Sequence, residues 1–196
     1  MRRAIGYSLL LFWAALAAAL HLVLVGLSVS MFSPVMSAVT TDSLPTLRAL
    51  VPDLATLLLV ASVGRLSRRD TLMIAVVVFV GRSAFTASPP FAVLSGTIAT
   101  AYIADSLRTV AELDRPLLRV VSAGLGSLVY GYWLIFVDHV RSTESVVLGR
   151  LQFGWPDASA FGLPIVTAVA TAVCALLFWP LFTRLPGQKR LERRAF

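Results

Sequence analysis

The chain is short of charge, of cysteine and of histidine, and each shortage closes off a class of function. Only 14% of its 196 residues are charged and 58% are apolar, against roughly 25% and 45–50% in a typical soluble domain, so it does not read as a soluble globular protein. A single cysteine, Cys174, excludes an intramolecular disulfide and any cysteine-based metal site. The two histidines, His21 and His139, form no His-Glu-x-x-His pair. No Cys-x-x-Cys, phosphate-cradling glycine loop or Gly-x-Ser-x-Gly elbow occurs either. Membrane enzymes bring several ionisable groups to one depth, whereas here each candidate stands alone on its segment. The chain is therefore expected to be non-enzymatic and to carry no cofactor or metal.

What it has instead is apolar length. Six helices of about 20 residues would occupy ~120 residues, close to the apolar share, and the mean hydropathy is +0.84. No charge lies between Arg3 and Asp42, and Ala4 to about Phe32 is almost continuously apolar. That run exceeds the roughly 7–15 residues of a signal-peptide core and reads as an uncleaved first span behind Arg2 and Arg3. The six spans are expected over about 4–32, 50–64, 71–87, 91–107, 120–137 and 162–185. Pro89-Pro90 forces the turn between the third and fourth, because proline fixes φ and the residue before it avoids the helical region. The connection 138–161 mixes Val147, Leu151, Phe153 and Trp155 with Arg150 and Asp157. It suits either a short helix on the outer leaflet, with its tryptophan at headgroup level, or an irregular loop. No repeat or low-complexity linker divides the chain, so an all-α, single-domain polytopic membrane protein is expected.

Charge placement sets the expected orientation, since Lys and Arg collect on cytoplasmic segments. With the N-terminus inside, thirteen of the 17 basic residues fall in inner segments: Arg2, Arg3, Arg65, Arg68, Arg69, Arg108, Arg115, Arg119, Arg184, Lys189, Arg190, Arg193 and Arg194. Arg48, Arg141 and Arg150 fall outside, and Arg82 lies within the third span. Both termini are thus expected in the cytoplasm. The same bias accounts for the net charge of +7 and removes the main reason to expect a nucleic-acid partner.

Ions inside spans are the strongest local leads, because burying one in a bilayer costs several kcal/mol unless it pairs or reaches water. Asp53 and Arg82 both fall in the outer half and are matched in depth, which allows a pair tying span two to span three. Two other readings stay open: Asp53 caps its helix after Pro52, and Arg82 snorkels outward. Asp105 is expected to face water or Arg108, three residues on. His21 reads as a hydrogen-bonded packing residue or a ligand. Small residues recur every four positions at Ala92, Gly96, Thr100 and Ala104, at Ala123, Ser127 and Gly131, and at Ala14 and Ala18. Such stripes bring helices close, within one bundle or between proteins. Tyr130, Tyr132, Trp133 and Phe136 read mainly as an interfacial aromatic belt, with a substrate cavity as the other use.

This organisation resembles the MreD family, the integral membrane component of the bacterial rod-shape machinery. The resemblance runs from about residue 49 to the end. It rests on Val51-Pro52-Asp53-Leu54 opening a leucine-rich second span, and on the basic turn Gly64-Arg65-Leu66-Ser67-Arg68-Arg69. A tight pair of third and fourth spans follows, and Phe178-Trp179-Pro180-Leu181-Phe182 closes the chain before a basic tail. The resemblance implies a scaffold in the bacterial cytoplasmic (inner) membrane. It would bind MreC and link MreB filaments to the peptidoglycan synthases RodA and a class B penicillin-binding protein. Under that implication the expected partner contacts are Pro52 and Asp53 at the start of span two, with Phe153 and Trp155 in the outer connection.

MreD is similar in fold to the six-helix substrate-binding S-components of energy-coupling-factor vitamin transporters, which supplies a competing expectation. In that reading Ala14 and Ala18 dock a transport partner, while Tyr130, Tyr132, Trp133 and Trp155 close over a ligand. Few hydrogen-bonding groups in the outer segments weigh against it, since a vitamin site needs several that are well placed.

Overall fold

The computed structural model describes residues 2–36, 49–64, 70–110, 116–146, 158–186, 188 and 191. Among these, all regular structure is helical. The six helices are α1 (Arg2–Met36), α2 (Leu54–Val63), α3 (Thr71–Ser83), α4 (Pro90–Val110), α5 (Pro116–Val146) and α6 (Ala158–Thr183). Two of them open on proline, whose missing N–H falls where a helix leaves its first donors unused. The Pro89 carbonyl accepts from Val93 N–H to start α4. Among the described residues three stretches are long and apolar enough to cross a membrane: Arg3–Ser28, Leu117–Arg141 and Phe161–Thr183.

Helix α2 is the hub. Its ten residues are all buried, and it packs against each of the other five helices. The sequence Leu-Ala-Thr-Leu-Leu-Leu-Val-Ala-Ser-Val has no polar face, and a helix apolar all round belongs inside a bundle rather than on its surface. At 1.5 Å per residue it is only about 15 Å long, half the thickness of a bilayer core. The expected second span is therefore a short internal rod with an irregular lead-in at 50–53. By contrast α6 turns Ile165, Val169, Val173 and Leu177 outward, a stripe that suits lipid contact and not water.

Successive helices run in opposite directions. At one end, Tyr7 Oη donates to Asp70 Oδ1 at 2.8 Å, joining the starts of α1 and α3. There Arg108 donates to the Val63 carbonyl at 3.1 Å, and Gln188 Nε2 donates to Ser62 Oγ at 2.8 Å. Arg119 lies 5.8 Å from the centre of the Trp179 ring, pairing the start of α5 with the end of α6. Asp105, expected at water or Arg108, is buried within α4 and so does not face water. The connection expected over 138–161 is also shorter, because α5 runs on to Val146 and α6 begins at Ala158. Residues 147–157, with Phe153 and Trp155, lie outside the described residues.

Close backbone approach relies on the small residues. A Cβ on Gly81 would meet Ala14 Cβ at 2.7 Å and Ala15 N at 2.8 Å, so α3 lies directly on α1. Ala14 and Ala18 are both buried inside the bundle. The stripe expected on α1 as a possible docking face is occupied internally. The stripe on α4 likewise packs inward, against α5. A Cβ on Gly96 would meet the Trp133 ring at 2.8 Å and the Tyr130 ring at 3.0 Å.

Candidate functional site

The end of the bundle opposite Tyr7 and Asp70 holds a buried polar node built where α2 begins. Pro52 and Asp53 precede the first helical turn, whose N–H groups lack intrahelical partners. Asp53 answers them: Thr56 N–H donates to Oδ1 at 3.0 Å, and the Thr56 hydroxyl donates to Oδ2 at 2.8 Å. Arg82, in the last turn of α3, donates from Nη2 to the same Oδ2 at 2.6 Å. Its Nη1 reaches Thr56 Oγ1 at 3.3 Å. The cap and the inter-helix pair are therefore one structure, whereas the third reading, Arg82 snorkelling outward, is overturned, because its guanidinium turns inward onto Asp53.

Further helices close around this node. The Asp53 N–H donates to Thr171 Oγ1 of α6 at 2.9 Å. That hydroxyl donates onward to the Thr167 carbonyl at 2.7 Å and lies 3.3 Å from Ser127 Oγ of α5. His21 Nδ1 of α1 sits 2.9 Å from the Pro52 carbonyl, so this nitrogen carries the ring proton and donates it. The Arg82 guanidinium lies 3.6 Å from the centre of the Tyr130 ring, a cation–π stack. Asp53 is 6% exposed and Tyr130 3%. Five helices thus supply side chains to one charge-neutral node.

The aromatic residues of α5 divide in two. Tyr130 faces inward over Arg82, and Trp133 Nε1 donates to the Ala92 carbonyl at 3.1 Å with Ser95 Oγ 3.0 Å away. Tyr132 donates to the Phe161 carbonyl at 3.0 Å, and Phe136 is exposed. The belt expected from sequence is therefore an inward pair and an outward pair. Thr56, Thr171 and Tyr130 were not singled out as partners of the ions. Thr56 carried a local signal, three residues beyond a capping acid; Thr171 and Tyr130 are brought in by packing alone.

Two cavities border the node, of about 390 Å³ and 220 Å³. Among the described residues no group of three or more His, Cys, Asp and Glu side chains is placed to hold a metal ion. The carboxylate and guanidinium neutralise each other, so the node holds structure and offers hydrogen-bond donors to the cavities. No family model, curated protein or solved structure matches the chain.

Proposed function

We propose that this protein is a multi-pass, non-enzymatic scaffold of the MreD type in a bacterial cytoplasmic membrane, with both termini in the cytoplasm. It binds MreC and, with it, holds RodA and a class B penicillin-binding protein in register with MreB filaments. The observation that carries the proposal is the wholly buried α2 opening at Pro52-Asp53 and packed against the other five helices. A hub of this kind makes the bundle one stiff body, with apolar outer faces free for lateral contact with partner spans. Asp53 acts from within, by fixing where α2 begins, while the outer segment carrying Phe153 and Trp155 touches the periplasmic part of MreC.

The test is affinity purification of the tagged protein in mild detergent from its native cell, with mass spectrometry of the eluate. Recovery of MreC, RodA or a penicillin-binding protein is expected. Recovery of an ATPase with a T-type membrane subunit would replace the scaffold with a vitamin-uptake component.

A further inference from the structure

The two cavities beside the node share His21, Asp53, Arg82, Tyr130 and Leu134 in their walls, so they wrap around one polar cluster. The larger, about 390 Å³, falls in the range of roughly 300–1,000 Å³ typical of small-molecule sites. Its remaining wall is largely apolar, with Ala49, Ile135, Leu163 and Pro164.

Apart from the second ring nitrogen of His21, the polar wall is unbalanced towards donors. Both Asp53 oxygens already accept, from Thr56 and Arg82. A guanidinium carries five N–H donors, and Arg82 directs one nitrogen to Asp53 and one to Thr56. The Tyr130 hydroxyl is buried with no hydrogen-bond partner, although a buried donor is normally paired. Charge is balanced all the same, because Asp53 neutralises Arg82. An added anion would bring an uncompensated charge into an apolar site, whereas a neutral acceptor would not.

We propose that this cavity binds an uncharged amphiphile bearing an ester carbonyl. The carbonyl oxygen accepts from Tyr130 and Arg82, and the apolar body lies along Ile135 and Leu163. Two sources present this chemistry: a neutral acylglycerol from the bilayer, and a small uncharged ester from the aqueous side. The inference goes beyond the scaffold reading and does not rest on it.

Thermal unfolding of the full chain in detergent tests the proposal, with monooleoylglycerol, triacetin, hexadecane and oleate as probes. At about 100 times its Kd, a fitting ester is expected to raise the melting temperature by roughly 5–10 °C. A rise with monooleoylglycerol alone places the source in the bilayer, and one with triacetin alone places it in the aqueous phase. Tyr130→Phe keeps the ring under Arg82 and is expected to remove at least half of the shift. Leu134→Trp fills space common to both cavities and is expected to abolish it. The proposal is overturned if hexadecane stabilises as much as the esters, if oleate stabilises more, if neither ester stabilises, or if both variants respond like the parent.

Discussion

Arg82 Nη2 lies 2.6 Å from Asp53 Oδ2, which places the late turn of α3 on the cap of α2. The carboxylate is oriented by Thr56, and the guanidinium is held flat by the Tyr130 ring at 3.6 Å. Each half of the pair therefore arrives preorganised, Asp53 by the first turn of its own helix and Arg82 by the Tyr130 ring of α5. That matters in an apolar bundle, where either ion alone would be costly.

Asp53→Asn keeps the side-chain oxygen that caps α2 but removes the counter-ion, leaving Arg82 buried and unpaired. The expected cost is about 3–5 kcal/mol, a fall in melting temperature of roughly 6–20 °C at ~2–4 °C per kcal/mol. Adding Arg82→Gln is expected to restore part of the loss, because the second change removes the stranded charge. A double-mutant cycle on the purified protein measures this coupling. Strict additivity of the two changes would mean that the ions do not interact.

Gly81→Ala places a methyl group 2.7 Å from Ala14 Cβ and 2.8 Å from the backbone nitrogen of Ala15. Backbone cannot move aside as a flexible side chain can, so α1 and α3 must separate, at an expected cost of about 1–3 kcal/mol. Gly26→Ala on α1 is the matched control, since nothing lies within 4 Å of its added Cβ. There the better helix propensity of alanine is expected to leave stability unchanged or raise it by up to about 1 kcal/mol. Similar losses from both substitutions would show that α1 and α3 do not meet at Gly81.

The parts of this architecture visible in the sequence are those governed by local rules. The apolar runs announce the helices, Pro89-Pro90 announces the turn before α4, and Pro52-Asp53 announces a helix start. Asp53 and Arg82 stand out because ions are scarce in such runs, and matched depth makes a pair conceivable. Tyr130 and Thr171 could not be joined to them this way, since their distance along the chain carries no information about the angle at which helices cross. The same limit hid the role of α2: ten residues, eight of them apolar, announce a helix, and only packing shows that five others surround it. The end of α5 was missed for a different reason. Asp138 to Val146 is polar enough to read as loop, yet the helix continues through it.

Trp155→Ala is expected to reduce the recovery of MreC with the tagged protein several-fold while leaving the melting temperature unchanged. The pairing of readouts separates a contact residue from a folding residue. Quantitative mass spectrometry of the eluate supplies the first and thermal unfolding the second. Undiminished recovery would move the partner contact away from the outer connection.

Orientation in the membrane is open to a chemical test, because Cys174 is the only native thiol. Replacing it by Ser gives a background into which single cysteines are placed by Ser88→Cys, in the turn between α3 and α4, and by Arg184→Cys, just beyond α6. The two positions belong to opposite ends of the bundle, since Ser88 follows Arg82 while Arg184 follows Trp179, which stacks near Arg119. With thirteen basic residues expected in inner segments and three in outer ones, the charge rule predicts that the end carrying Ser88 faces outside. A membrane-impermeant maleimide applied to spheroplasts is therefore expected to label position 88 and to label position 184 only after lysis. The reverse pattern would place the basic end outside, against the charge rule. It would also remove the periplasmic placement on which the proposed contact of Phe153 and Trp155 with MreC depends.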